Sequence, residues 1–270
     1  MPRLYMMTEH SPFMMGFVLV TDAGRCIVVD GGREEDMPEL LELIGGRKVA
    51  AWVLTHPHLD HITGFTFLAR EGRLPDIERV YCAFPSVDYA RANEPQEAWT
   101  LEEFEAAKPA FCHLLTRAEP GMKVRIDETE LEFLFAGGEK YGPLRPNLAI
   151  NESSIVFRVS AEGTRSILFL GDLGPAGGRD LLALQGARLK SDIVQMAHHG
   201  HSGVTREVYE AIAPEACLWC APEWLWNEED IEWEPELFGT IHQRKWMDEL
   251  GVKENYVSKD GPLEVPLKRK

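Results

Sequence analysis

An apolar run, Val49-Ala-Ala-Trp-Val-Leu54, passes directly into Thr55-His56-Pro57-His58-Leu59-Asp60-His61. A short run of that kind without polar interruptions reads as a buried strand. Three histidines and a carboxylate then fall within six residues, where the strand gives way to a loop. Strand ends of that type are where layered α/β proteins place their chemistry. His56 and His58 alternate with Thr55 and Pro57, so an extended backbone turns both imidazoles to one side. Asp60 and His61 follow at the turn into a helix opening at Ile62-Thr63-Gly64, within reach of a second ion beside the first. Imidazoles with a carboxylate suit zinc, and also manganese or iron. The plainer alternative, histidines in a polar surface loop, fits an isolated His better than four ligand-type residues packed at a strand end.

Length and charge narrow the setting. A chain of 270 residues is one large domain or two small ones, and 44% hydrophobic residues suffice for a core without staples. The net charge of -16 repels polyanions and argues against an extended nucleic-acid surface. It leaves a small phosphate substrate open, because bound cations dominate the field inside a site. The five cysteines are Cys26, Cys82, Cys112, Cys217 and Cys220. Cys217 and Cys220 have CxxC spacing, but no second pair completes a structural zinc site, so buried free thiols in a reducing compartment are expected. The first residues lack the apolar stretch and cleavage site of a signal peptide, and no run approaches the roughly 18 apolar residues of a membrane span. A soluble, cytoplasmic protein with no membrane partner is expected.

Along the chain, residues 13–20 and 25–29 read as a strand pair turning at Thr21-Asp22-Ala23-Gly24, with Asp30-Gly31-Gly32 at its end. Residues 37–44 read as an amphipathic helix, 65–70 as a helix and 77–82 as a strand. Residues 84–121, rich in Pro, Glu and Ala, predict a helical insertion, with Thr100-Leu-Glu-Glu103 as a capping box and His113 structural. Strands follow at 123–126, 131–135, 154–159 and 166–170, a helix at 181–189 and a strand at 192–196. Gly171-Asp172 ends one of these strands, and His198-His199-Gly200-His201-Ser202 follows another. A lone carboxylate at the buried end of a strand is costly unless it meets a cation; the alternative role for Asp172 is an N-cap for the helix after Gly174. With no repeat or linker, one domain spanning 1–270 is the economical organisation.

The pattern His56-x-His58-x-Asp60-His61 resembles the signature of the metallo-β-lactamase superfamily. Asp30-Gly31-Gly32, Asn151-Glu-Ser-Ser-Ile-Val156, Gly171-Asp172 and His198-His199-Gly200 follow in the order of the hydrolase domain of ComEC-type DNA-uptake proteins and their soluble relatives. Thr240-Ile-His242, Leu250-Gly251 and Asp260-Gly261 resemble their ending. Residues 84–146 and 222–238 are unmatched. The resemblance implies a four-layered αββα sandwich holding two divalent metal ions between its sheets. It implies His56, His58, Asp60, His61, Asp172 and His198 as ligands, with Asp172 bridging the ions. Asp30 would brace the metal loop. Asn151, or Ser153 near it, stands where the superfamily usually has a third histidine on the first metal, leaving that ion His56, His58, Asp172 and water. His199, His201 and Ser202 would face the substrate, with Asp60, His199 and His242 in the catalytic machinery.

A two-metal site lowers the pKa of a water, which then attacks phosphorus or a carbonyl carbon. No GxxxxGK[ST] loop or dinucleotide fingerprint is present, so hydrolysis without an organic cofactor is expected. A phosphoester or phosphodiester is the first choice of substrate, by analogy with the ComEC-type group. Lactone, thioester or β-lactam hydrolysis on the same site is the second. A binding or sensing protein with a vestigial metal site is the third. His242, His199 or His201 would protonate the leaving group. Residues 219–236 hold Trp219, Trp224, Trp226 and Trp233 among seven acidic residues. Such a stretch can cage a cationic head group, but more often its rings pack on the core while its acids face water.

Overall fold

A computed structural model of the chain describes residues 1–142, 148–229 and 238–269. The first half builds one sheet from β1 (Arg3–Met6), β2 (Gly16–Val20), β3 (Cys26–Asp30), β4 (Val49–Val53), β5 (Val80–Cys82) and β6 (Leu115–Arg117). The second half builds another from β7 (Lys123–Ile126), β8 (Thr129–Ala136), β9 (Ile155–Ala161), β10 (Ile167–Phe169), β11 (Ile193–Gln195), β12 (Ala216–Trp219) and β13 (Glu254–Val257). The chain then returns to the first sheet, where β14 (Leu263–Val265) pairs antiparallel with β1. The sheet orders are β14-β1-β2-β3-β4-β5-β6 and β13-β12-β11-β10-β9-β8-β7. In both sheets hairpins pair antiparallel, while strands joined through helices run parallel, from β3 to β6 and from β10 to β13.

The helices are α1 (Met37–Ile44), α2 (Leu59–Arg70), α3 (Val87–Asn93), α4 (Ala98–Ala107), α5 (Pro175–Gln185), α6 (Arg206–Ile212), α7 (Glu223–Asn227) and α8 (Thr240–Glu249). Three cores separate the layers. Leu4, Phe17, Ile27, Val29 and Val53 of the first sheet meet Leu131, Phe133, Phe157, Phe169 and Leu218 of the second. The opposite face of the first sheet, through Val28 and Trp52, packs on Leu40 of α1, Phe65 of α2 and Phe104 of α4. The outer face of the second, through Val156 and Leu168, packs on Leu181, Val208 and Met247. Central strands are therefore buried on both faces, which is why they read as continuous apolar runs instead of alternating ones. The arrangement is an αββα sandwich. All five cysteines are free, and Cys217 and Cys220 lie in different cores, facing opposite sides of the second sheet. No helix among the described residues is long and apolar enough to cross a membrane.

Several sequence expectations shift. The helix expected at 65–70 begins at Leu59, so Asp60 and His61 lie in its first turn. The helix expected at 181–189 begins at Pro175. Residues 84–121 contain α3 and α4 but also β6, the edge of the first sheet. Thr100 caps nothing: it is the third residue of α4, and its hydroxyl donates to the Pro57 carbonyl in the metal loop. The N-terminal strand β1, four residues long, is too short to carry a strand signal in the sequence.

Candidate metal centre

Parallel strands end on one side of the sandwich, and their exits carry the site. β3 ends in Asp30, held at positive φ of 49°. Both Asp30 oxygens are used: Oδ1 accepts the Thr55 amide at 2.7 Å, and Oδ2 accepts the Thr55 hydroxyl at 2.7 Å and His61 Nδ1–H at 2.7 Å. The carboxylate that follows the first hairpin thus ties the loop after β4 to the first turn of α2. Asp172 leaves β10 through Gly171, its amide donating to Ser154 Oγ at 3.2 Å. It does not cap α5; the amides of Ala176 and Gly177 are taken by Glu152.

Asp60, His61, Asp172 and His199 form one buried group whose ligand atoms all lie within 4.8 Å of one another. Asp172 Oδ2 is central, 3.3 Å from His61 Nε2, 3.4 Å from His199 Nε2 and 3.8 Å from His56 Nε2. Asp60 Oδ2 lies 2.9 Å from His199 Nε2 and 3.2 Å from His61 Nε2. His56 Nε2 faces His58 Nδ1 at 3.1 Å. The outer nitrogens are partnered away from this centre: His56 Nδ1 by Thr55 Oγ1 at 3.1 Å, His61 Nδ1 by Asp30, and His199 Nδ1 by the Cys220 carbonyl at 2.9 Å. A histidine whose outer N–H is spent on an oxygen presents its other nitrogen as a bare lone pair, the arrangement found around bound metals.

The order expected for the adjacent histidines is reversed. His199 enters the cluster, whereas His198 turns to Asn151, whose Nδ2 lies 3.2 Å from its Nε2. The cause is backbone conformation: His198, His199 and Gly200 all have positive φ (51°, 57° and 87°), so the short helical turn after β11 throws the neighbouring imidazoles apart. Gly200 has no alternative, since a Cβ there would sit 2.4 Å from the Trp219 ring. His201 stacks beside His198 with ring centroids 4.0 Å apart, and Ser202 is buried with its amide on the Phe238 carbonyl. Neither is among the residues lining the cleft. His242 is exposed on α8, whose inward face is Thr240, Gln243 and Met247, and it is not a lining residue either.

The cleft itself, about 180 Å³, is bounded by Phe13, Leu59, Asn151, His198 and an acidic wall of Glu94 and Glu97 over Asp60 and Asp172. Glu94 was unmarked in the sequence; it lies at the C-terminal end of α3, an unfavourable place for an anion. That mismatch, followed by Pro95, was the one available sign that its partner lies elsewhere. Phe13 packs edge-on to His199 with centroids 5.2 Å apart. Of the tryptophans in 219–236, expected to pack on the core more often than to cage a ligand, Trp219 is buried with Nε1 on Asn255, Trp226 carries Arg244 over its ring, and Trp224 donates to the Pro12 carbonyl. Trp233 lies outside the described residues.

Electrostatics and orphaned atoms bear on whether cations fit. Burial pulls the pKa of His61 and His199 down, but the carboxylates around them outweigh it, holding His61 well above the ordinary value and His199 at about 10. Burial pushes Asp60 and Asp172 up, yet His61 and His199 hold both well below the ordinary range. His56 is kept neutral by burial and by its neighbour His61. Asp172 Oδ1, Asn151 Oδ1, His61 Nε2 and His198 Nδ1 are buried without a hydrogen-bond partner. Desolvated lone pairs of this number are costly unless a ligand meets them. The donor set, imidazole nitrogen with carboxylate oxygen, fits divalent transition-metal ions.

Comparison with known proteins agrees with the geometry. The family model of the metallo-beta-lactamase superfamily matches residues 17–216. The competence protein ComA of Neisseria gonorrhoeae is 25% identical over 203 residues, which are 73% of this chain and 24% of that protein. The chain thus spans about a quarter of that relative's length. Among solved structures, the metallo-beta-lactamase fold protein YhfI of Bacillus subtilis superposes with a TM-score of 0.58 at 12% identity, over 97% of this chain and 98% of its own. CmlA, a diiron beta-hydroxylase of Streptomyces venezuelae, gives 0.56 at 14% identity, over 98% of this chain and 54% of its own. At these identities the two structures speak for the fold.

Proposed function

The chain belongs to the metallo-beta-lactamase superfamily, and from that premise we propose that it is a metal-dependent hydrolase acting on a phosphoester or phosphodiester. The observation that carries the hydrolase reading is the convergence of Asp60, His61, Asp172 and His199 in one buried group, with His56 and His58 beside it. Bound divalent ions supply a water of lowered pKa and Lewis acidity toward the substrate oxygen. His56, His58 and Asp172 would hold one such ion, and Asp60, His61, Asp172 and His199 the other. The choice of phosphorus is supported by the order of motifs, which resembles that of ComEC-type proteins.

This chain's own residues do the rest. Asp30 and the Cys220 carbonyl orient His61 and His199. Phe13 and Leu59 shed water from the cleft beside the acidic wall. His198 lines the cleft, and burial pulls its pKa down to about 4, so it acts as a neutral imidazole whose N–H donates to a leaving-group oxygen, in the role expected of His242, His199 or His201. Among the described residues lining the cleft there is no lysine or arginine, so attraction of an anionic substrate falls to the bound cations.

The test is a substrate panel on protein of measured metal content: bis(p-nitrophenyl) phosphate and p-nitrophenyl phosphate beside a lactone and nitrocefin. Turnover of a phosphate ester that is lost on chelation and restored by metal supports the proposal. Turnover confined to the lactone or nitrocefin would move the electrophile to carbon. Metal bound with no turnover of any of them would favour a binding protein.

A further inference from the structure

The ordinary metal-centre description leaves one charge without a purpose. Glu94 is 1% exposed, it lies in a segment outside the matched motifs, and among the described residues its ion-pair partner is His58 alone. Its Oε1 sits 3.1 Å from His58 Nε2, and its Oε2 accepts the Ile150 amide at 2.8 Å. A carboxylate placed so deep must have both oxygens satisfied, and here both are.

We propose that Glu94 is a positioning residue for the metal centre, taking the Nε2–H of His58 so that Nδ1 is presented to a cation, and fixing that ring to the Ile150–Asn151 turn. The inference rests on the metal-centre reading above and assigns a part in it to the α3–α4 segment.

Proton placement decides which imidazole nitrogens face a cation. Thr55 Oγ1 donates to Asp30 Oδ2, so toward His56 Nδ1 it can only accept, and the His56 proton belongs on Nδ1. Glu94 likewise draws the His58 proton to Nε2. The inner nitrogens, His56 Nε2 and His58 Nδ1, lie 3.1 Å apart, a hydrogen bond while Nδ1 carries a proton. With the His58 proton on Nε2 alone, both present lone pairs toward one point. Nitrogen ligands about 2.0–2.1 Å from one tetrahedral ion lie roughly 3.3 Å apart, so the spacing is that of two ligands of one ion. The superfamily's usual third histidine is missing on this side, and the turn that stands in its place, Asn151–Ser153, is the one Glu94 grips through Ile150. Thr100 of α4 holds the Pro57 carbonyl between the two histidines. A site with one fewer imidazole is thereby stiffened from outside, with His58 held by a charged acceptor. Outer carboxylates on ligating histidines typically contribute 10–100-fold in metal affinity.

The experiment compares the wild type with Glu94→Ala, Glu94→Gln and, as a control on the same segment, Glu102→Gln, whose carboxylate is exposed and pairs with Arg91. Zinc affinity is measured by chelator competition, and the tautomer of His58 by nitrogen-15 NMR of histidine-labelled, zinc-loaded protein. Glu94→Ala is expected to weaken one of two zinc equivalents about 10–100-fold and leave the other unchanged. Glu94→Gln keeps a carbonyl acceptor for Nε2–H and should recover most of the loss, and Glu102→Gln should bind as the wild type does. In the wild type, His58 should carry its proton on Nε2. Two zinc equivalents of wild-type affinity in both Glu94 variants would overturn the proposal, as would a His58 proton on Nδ1, a readout that holds even if Glu94→Ala does not fold. A wild type that binds no zinc, manganese or iron would instead overturn the metal-centre reading, and the proposal with it.

Discussion

His199 Nε2 lies 2.9 Å from Asp60 Oδ2 although 139 residues separate them in the chain. The contact joins the first turn of α2, under the first sheet, to the turn after β11, at the end of the second. Asp172, from β10, lies within 3.4 Å of the same nitrogen. The centre is therefore a product of how two sheets face each other, and it exists only when both halves of the chain are folded. Without cations the group is a buried ion-pair network of two carboxylates and two imidazoles, with Asp60 and Asp172 at the floor of the cleft. With cations, the same lone pairs become ligands.

His199→Ala and His198→Ala should separate these neighbours. Removing His199 takes a nitrogen out of the cluster, and zinc bound per chain should fall by one equivalent, beyond the roughly 10–100-fold weakening that loss of an outer partner causes. His198→Ala should keep its full metal content while kcat falls by about 100-fold or more, the usual size of a lost proton-transfer group. Elemental analysis after dialysis, with kcat on bis(p-nitrophenyl) phosphate, checks both. Retained metal in His199→Ala and lost metal in His198→Ala would restore the order the sequence suggested.

Asp30→Ala should be among the most destabilising single changes in the loop. Three donors converge on this carboxylate: the Thr55 amide, the Thr55 hydroxyl and His61 Nδ1. Truncation leaves them buried and unpaired, at a cost of about 3–5 kcal/mol. Urea unfolding of metal-free protein measures it without interference from bound ions, and a loss below about 1 kcal/mol would show that Asp30 is not a brace.

Much of this was legible in the sequence, for a definite reason. Val49 to Leu54 is buried on both faces, so its apolar run announced a strand, and the ligands at its end followed in the next seven residues. Asp30 and Asp172 stood at strand exits in the same way, whereas Asn151, in the turn ahead of β9, was marked only by the resemblance. What the sequence hid was whatever depends on a single dihedral or on a distant element. No pattern distinguishes His198 from His199, because both follow the same strand and the choice is made by successive positive-φ residues. Glu94 looked like one more acid on a solvated helix, since its partner His58 is 36 residues away. His242 matched a C-terminal motif, but the face of α8 on which it falls is set by the burial of Thr240, Gln243 and Met247.

The metal-free protein should lose stability as pH rises above neutrality. His199 titrates near 10 in the folded chain against about 6.5 unfolded, and His61 is likewise raised. A raised histidine contributes stability that is complete below about 6.5 and lost as pH climbs toward its folded value. Asp60 and Asp172 are depressed, so their contribution is present above about 3.9 and lost as pH falls through their folded values. Metal-free protein should therefore show its highest Tm on the acid side of neutrality and a declining Tm from about pH 6.5 to 10. Metal-loaded protein should not follow that decline, because binding displaces those protons and strengthens as pH rises. Parallel thermal melts with and without chelator measure the difference; a metal-free Tm that is flat over this range would contradict the ion-pair network.

Gly171→Ala tests whether backbone placement at the end of β10 sets the metal centre. Gly171 has φ of 56°, which costs an L-residue about 1–2 kcal/mol. It also leaves no room: a Cβ would stand 3.1 Å from Ser154 Oγ and 3.1 Å from Thr55 Cβ. Those are the neighbours that hold Asp172 and the metal loop, through the Asp172 amide on Ser154 and the Thr55 contacts to Asp30. Relieving the contact takes a shift of a few tenths of an ångström in Ser154 or Thr55, which loosens the hold on Asp172 and the loop, so metal affinity should fall about tenfold, in the range that losing an outer partner produces. Gly163→Ala is the control. Gly163 has a comparable φ of 74° in the turn between β9 and β10, and a Cβ there meets nothing within 4 Å. It should incur the same backbone cost while leaving zinc affinity unchanged. Equal affinities for the two variants would mean that the site tolerates movement of the strand end, and that the placement of Asp172 does not depend on Gly171.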